Sequence, residues 1–356
     1  MGFAFCQIAS SLPALGGWQP PDFQGESWPF PGGDLQTLRS VLRPPKLDLG
    51  PAEKILIPAR DGDQLVSFLH LPDDAGNPNR PDYPNRPNYP NRPDYPDRPA
   101  TDALIIGLHG LSGSSESWHL RALTRAFLDR GLAVLRVNMR GAGVSRPLCQ
   151  SSYSARSGND LALIIRAMQA RFAKPIFISG VSLGGTVALN LALDEPDLAS
   201  QLAGLVSISA PLDMQAASTA FHRPRNWLYM RYILSGLKKL ALASPHPARL
   251  PADPNSIRSV REFDDCLTAP MHGFADAAAY YRRASVAGRL ANLACPALIL
   301  QADNDPWVPA AAARAARLAA RTSLIITHGG GHVGFADGQQ QPWFVRCAAS
   351  WVAQMS

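Results

Sequence analysis

PIFISGVSLGGTVALNLAL, residues 175–193, is the stretch whose reading decides the fold. Its opening, with Ile176, Phe177 and Ile178, has the short apolar run of a buried strand. Its close, with Ala188, Leu189, Leu191 and Ala192, is rich in helix formers. Between them Gly180-Val181-Ser182-Leu183-Gly184-Gly185 predicts a sharp strand-to-helix turn. A serine held in so tight a turn needs neighbours without side chains, so that strand and helix close on each other and Oγ stands clear of the backbone.

Outward from this stretch the same rhythm repeats. After residue 100, ALIIGLH, LAVLRVN, PIFISG, AGLVSIS, PALILQA and SLIIT read as buried strands, alternating with helix-like segments that start near Ser117, Ser157, Leu183, Pro309 and Gln341. Such alternation predicts a mostly parallel sheet with helices on both faces. Upstream, EKILIP and QLVSFLHL add two strands, with Asp61-Gly62 favouring a tight antiparallel turn between them. The sum is an α/β fold with an eight-stranded, mostly parallel sheet. Roughly residues 213–288 break the rhythm, with no convincing strand and many aromatic, proline and basic residues, and read as an inserted helical cap. The expected organisation is therefore an N-terminal arm (1–50), a first core part (51–212), the cap (213–288) and a second core part (289–356). Within the first part, 73–100 is a proline-rich loop: residues 79–99 repeat NRPDYP, too polar for a core and too rich in proline for helix or strand.

The turn gives Ser182 a chemical reading. G-x-S-x-G is common by chance, but between a strand and a helix it is the context of a nucleophilic serine. A hydroxyl attacks only if a base takes its proton, and the base needs an orienting carboxylate, in the order serine, acid, histidine. PALILQADNDPWVP places Asp305 just after a strand, and SLIITHGGGHVGF places His332 just after the next. His328 and Asp303 compete with them. His328 abuts its strand end, whereas the glycines before His332 let it swing back to Ser182, and the DPWVP turn holds the Asp305 carboxylate outward. Oxyanion donors are expected from the backbone N–H groups of Leu183, directly after the serine, and Leu111, after His109-Gly110 turns the chain. His109 itself reads as a turn-stabilising residue, and His272, in the cap, as a hydrogen-bonded structural one.

Other classes find little support. At 46% hydrophobic and 17% charged residues the chain is neither disordered nor fibrous, and a net charge of +6 permits contact with anionic surfaces without implying nucleic acid. Five scattered cysteines form no CxxC pair and no disulfide framework, which fits a reducing compartment. No histidine set has metal-ligand spacing, so neither metal nor cofactor is expected. The N-terminal residues lack the charged flank of a signal peptide, and no apolar run is long enough to span a membrane. The expected location is cytoplasmic, with room for peripheral membrane contact. In the cap, Trp227, Met230, Leu234, Leu237 and Ala241 share one apolar helix face flanked by Arg231, Lys238 and Lys239, a lid over the site that could also rest on an anionic membrane.

Four blocks carry a resemblance to the α/β-hydrolase superfamily, and within it to the YheT-like branch that includes embryogenesis-associated hydrolases. They are GVSLGG, the acid and base segments DNDPWVP and GGGHVGF, Pro29-Phe30-Pro31-Gly32-Gly33-Asp34-Leu35-Gln36-Thr37-Leu38, similar to that branch's GHLQT signature, and Arg261 through Ser285, similar to its FD…GF…YY…AS pattern. Gly33-Asp34 stands where the branch usually has Gly-His. The resemblance implies the α/β-hydrolase fold and esterase or lipase activity on acyl esters, short- or medium-chain or glycerolipid, with Ser182, Asp305 and His332 as the triad. Two rivals remain: an alcohol acyltransferase using the same acyl-enzyme, and a non-catalytic lipid-binding or scaffold protein.

Overall fold

The computed structural model describes residues 6–9, 17–26, 28, 30–42, 47–59, 61–72 and 102–356, and the repeat at 79–99 lies outside the described residues. The strands are β1 (Cys6–Ala9), β2 (Glu53–Pro58), β3 (Gln64–His70), β4 (Leu104–Leu108), β5 (Ala133–Val137), β6 (Ile176–Val181), β7 (Gly204–Ile208), β8 (Ala297–Ala302) and β9 (Thr322–Thr327). They form one sheet in the order β1-β9-β8-β7-β6-β4-β5-β3-β2. From β5 to β9 every pairing is parallel. β2 and β3 close one edge antiparallel. All eight strands expected from the sequence are present. β1 is an addition: it runs antiparallel to β9, Cys6 opposite Thr327 and Ala9 opposite Leu324.

The helices are α1 (Gly33–Leu42), α2 (Trp118–Leu128), α3 (Gly158–Arg171), α4 (Leu183–Asp194), α5 (Pro196–Ala199), α6 (Met214–Phe221), α7 (Trp227–Leu242), α8 (Val260–Phe263), α9 (Ala269–Met271), α10 (Ala277–Ala284), α11 (Ala311–Ala315) and α12 (Trp343–Met355). Strand alternation divides the core between the two sheet faces. Leu104, Ile106, Leu108, Ile176 and Ile178 pack under α3 and α4. Ile105, Phe177, Val181 and Leu298 pack under α2 and α12. Each such fully buried side chain contributes about 1.5–3 kcal/mol.

Between β7 and β8 the chain is helical, α6 to α10, with a π-helical turn at Asp264–Thr268. This segment has a small core of its own built from Ile233, Leu234, Leu237, Ile257 and Leu267. Trp227 corrects the helix face expected for α7. It is 50% exposed and belongs with Leu228, Arg231 and Tyr232 on the outer side, while Ile233 takes the inner place.

Candidate active site

In an open parallel sheet, reacting groups gather at the carboxyl ends of the strands. Ser182 follows β6 and opens α4 at φ 52° and ψ −124°, a left-handed backbone that a residue with a side chain adopts only under constraint. The constraint is visible in the glycines. A Cβ on Gly180 would lie 2.4 Å from the Gly184 carbonyl oxygen, and one on Gly184 would lie 2.5 Å from that of His109.

Asp305 follows β8 and His332 follows β9. His332 Nε2 is 3.0 Å from Ser182 Oγ, and Nδ1 is 2.8 Å from Asp305 Oδ2. The Asp305 side chain is fully buried and that of His332 is 5% exposed. A second Asp305 oxygen accepts the N–H groups of Trp307 and Val308, at 2.8 and 2.9 Å. A carboxylate has no proton to give, so Nδ1 donates to Asp305 and the Nε2 lone pair faces the serine. The Trp307 ring lies 4.4 Å from the imidazole, between centroids, and fixes its plane. The rival residues pair with each other instead: His328 Nδ1 meets Asp303 Oδ2 at 2.6 Å, with the His328 side chain 64% exposed.

The loop carrying His332 is gripped by the N-terminal arm. Thr37 Oγ1 on α1 accepts the His332 N–H at 2.8 Å and donates to the Gly33 carbonyl at 2.6 Å. The Gln36 amide donates to Ala336 O at 2.9 Å and accepts the Ala336 N–H at 2.7 Å. Glu26 accepts from Gly330 N–H at 2.9 Å and from Asn304 Nδ2 at 2.6 Å, while Asn304 Oδ1 takes the Gly331 N–H at 2.9 Å. Gly331 admits this approach, since a Cβ on it would meet Gly33 O at 2.3 Å. Gln36 and Thr37 stand in the quoted GDLQT block, yet sequence reasoning assigned them no role, and Glu26 and Asn304 carried no signal. Asp34, in the usual histidine position, accepts from Arg225 at 2.5 Å and from Tyr229 on α7 at 3.3 Å, tying arm to helical segment.

The amide of Leu183, first residue of α4, has no intrahelical acceptor, as at any helix start. Leu111 follows Gly110, where a Cβ would lie 3.2 Å from Ser182 Cβ, so its loop lies against the serine. Among the described residues neither N–H has a protein acceptor. His109 is wholly buried, with Nδ1 donating to Gly110 O at 2.8 Å and Nε2 accepting the Met139 N–H at 3.2 Å. Burial lowers its pKa to about 4, which keeps it neutral and structural. His272 ends α9, its N–H bonded to Thr268 and Ala269 carbonyls.

The chain matches the family model Hydrolase_4, serine aminopeptidase S33, over residues 99–339. It is 32% identical over 259 residues to YheT of Escherichia coli (strain K12), covering 70% of this chain and 76% of that one. Phospholipase ABHD3 of Mus musculus is 28% identical over 246 residues, 67% of this chain and 60% of that protein. Monoacylglycerol lipase of Saccharomyces cerevisiae is 28% identical over 257 residues, 68% and 57% of the two chains. The chain thus matches less than two thirds of the length of these last two relatives. The Pyrococcus furiosus esterase Pf2001 has the same fold, with a TM-score of 0.53 at 15% identity, covering 88% of this chain and 99% of that one. By fold, by strand-end geometry and by these matches, the chain belongs to the Hydrolase_4 family of α/β hydrolases, in its YheT-like branch.

Proposed function

We propose that this esterase/lipase-type α/β hydrolase cleaves carboxylic acyl esters through an acyl-enzyme on Ser182. The observation that carries the reading is the strained Ser182, 3.0 Å from an imidazole whose other nitrogen is 2.8 Å from a buried carboxylate. His332 takes the Ser182 proton as Oγ attacks the ester carbonyl, and Asp305 stabilises the imidazolium that forms. The Leu111 and Leu183 amides hold the oxyanion, where one donor is worth about a hundred- to a thousandfold in rate. His332 then protonates the departing alkoxide. Water, deprotonated by the same histidine, releases the acid and restores Ser182. A fluorophosphonate should label the wild type and leave Ser182→Ala unlabelled.

Short- or medium-chain and glycerolipid esters are the proposed substrates, in keeping with the names monoacylglycerol lipase and phospholipase borne by relatives. One further relative favours a second reading. It is named medium-chain fatty acid ethyl ester synthase/esterase 2, is 25% identical over 280 residues, and its match covers 70% of this chain and 61% of that protein. In that reading an alcohol replaces water in the second half-reaction, and the ratio of ethyl ester to free acid under added ethanol separates the two.

No helix among the described residues is long and apolar enough to cross a membrane. Peripheral contact is the proposed mode. Trp227, Leu228 and Tyr232 on α7 are 50%, 72% and 62% exposed, and the Arg231 guanidinium lies 4.7 Å from the Trp227 ring centroid. Aromatic, apolar and basic groups on one face suit an anionic bilayer surface. Trp227→Ser with Leu228→Ser should reduce co-sedimentation with anionic vesicles, and unchanged co-sedimentation would remove this surface from the account.

A further inference from the structure

The Leu111 N–H belongs to the same peptide group as the Gly110 carbonyl, which matters given the reading of Ser182 as nucleophile and Leu111 as oxyanion donor on which this inference rests. A peptide group is planar and trans, so its N–H points opposite to its C=O. Whatever holds Gly110 O therefore aims the Leu111 N–H. Three donors hold it: His109 Nδ1–H at 2.8 Å, the Gly113 N–H at 3.2 Å and the Tyr153 hydroxyl at 3.3 Å. The Leu111 N–H is thus turned away from all three, on a loop that lies against the serine, since a Cβ on Gly110 would be 3.2 Å from Ser182 Cβ.

Tyr153 does more than donate. It is buried, and its hydroxyl oxygen accepts the N–H groups of Ser112 and Gly113. A hydroxyl has one proton to give and two lone pairs. The 110–113 turn uses all of them, so Tyr153 Oη ties both ends of the turn and keeps nothing for a substrate. The Tyr153 ring also stands edge-on to the His109 ring, centroids 5.3 Å apart at 88°, so the two side chains that hold Gly110 O support each other.

The residue after Leu111 meets the cap. Ser112 has φ 55°, a left-handed backbone that a residue with a side chain keeps only where its surroundings fix it. Helix α7 closes on it at Gly236, where a Cβ would lie 2.9 Å from Ser112 Cβ and 3.1 Å from its Oγ. Leu111 itself packs against the cap core that includes Leu234 and Leu237.

We propose that Tyr153 and Gly236 are positioning residues of the oxyanion site. Tyr153 Oη orients the Gly110–Leu111 peptide through its carbonyl, and the missing side chain of Gly236 lets α7 close on Ser112 and keep the turn in that orientation. Both act on the ester only through the Leu111 N–H.

The test changes the atom that receives the charge. In a thionoester the carbonyl oxygen is replaced by sulfur, a weak hydrogen-bond acceptor, so its cleavage gains little from the oxyanion donors while its demand on Ser182 and His332 is the same. The readout is kcat/KM on p-nitrophenyl hexanoate and on its thiono analogue, with circular dichroism to verify folding. Tyr153→Phe removes only the hydroxyl and should lower kcat/KM on the oxygen ester about ten- to a hundredfold, somewhat less than the loss of a whole donor, with the thionoester little affected. Gly236→Ala, which sets a methyl group 2.9 Å from Ser112 Cβ, should act in the same selective sense. If Tyr153→Phe does not fold, Gly236→Ala carries the test with the same expectation. A folded variant that loses activity equally on both esters, or on neither, overturns the proposal and leaves the hydrolase reading standing. So does a wild type that cleaves the thionoester as well as the oxygen ester. A wild type that neither cleaves esters nor labels with fluorophosphonate instead brings down the hydrolase reading and this proposal with it.

Discussion

Thr37→Val removes a hydroxyl that accepts the His332 N–H and donates to the Gly33 carbonyl on its own helix. Thr37 is 5% exposed, and its Oγ1 accepts the backbone N–H of His332 at 2.8 Å. Valine fills the same space, so the fold of α1 is kept, but the His332 N–H loses its partner inside a buried loop. An unsatisfied buried donor costs about 1–3 kcal/mol. That weight falls on the loop conformation aligning Nε2 with Ser182, and it corresponds to a factor of about 5 to 150 in the aligned population. Thr37 holds the backbone of the His332 loop, so the loss should appear in kcat, with KM for a small ester little changed. Thr37→Ser, which restores the hydroxyl, should recover most of it. Initial rates on p-nitrophenyl hexanoate, with circular dichroism to verify folding, make the comparison. A folded Thr37→Val enzyme with kcat within twofold of wild type would refute the idea that α1 positions the base.

Three further outcomes follow from the same geometry. Asp305→Asn should keep the fold and lower kcat by about 10⁴, because an amide favours the imidazole tautomer that points its proton at Ser182; a loss under tenfold would separate Asp305 from the mechanism. Gly184→Ala sets a Cβ within 2.5 Å of the His109 carbonyl oxygen and should cost about 1–3 kcal/mol in a urea titration, so an unchanged midpoint contradicts the close approach of α4 to the His109 turn. Burial holds the folded-state pKa of His109 at about 4, below its ordinary 6.5, so the unfolded chain takes up the proton first. The resulting stability is complete above pH 6.5 and is lost as pH falls towards 4, on the order of 3 kcal/mol. His70 and His119, lowered to about 4 and about 3 by the same cause, act in the same sense. Urea midpoints at pH 7.5 and 4.5 should differ accordingly in the wild type and less in His109→Asn; equal pH dependence in the two excludes His109 as a source.

The eight strands were legible because each is a short apolar run with a local signature. The candidate site was legible because Ser182, Asp305 and His332 each sit one turn beyond such a run. β1 escaped notice for the opposite reason: four residues at the start of the chain form a strand only because β9, near its other end, offers a free edge. Glu26, Gln36, Thr37 and Asn304 are ordinary polar residues until the fold brings the arm onto the His332 loop, and nothing in their local sequence encodes that meeting. The outward turn of Trp227 was missed because α7 carries large apolar residues on two sides. Periodicity alone does not say which side meets the protein.

The central claim, that Ser182 is a nucleophile activated by His332, is tested most directly by mass-spectrometric mapping of fluorophosphonate adducts on wild type, Ser182→Ala and His332→Ala. A single adduct on Ser182 in the wild type, absent from Ser182→Ala and slowed at least a hundredfold in His332→Ala, is the expected result. Labelling at another residue, or equal labelling rates in wild type and His332→Ala, would contradict it.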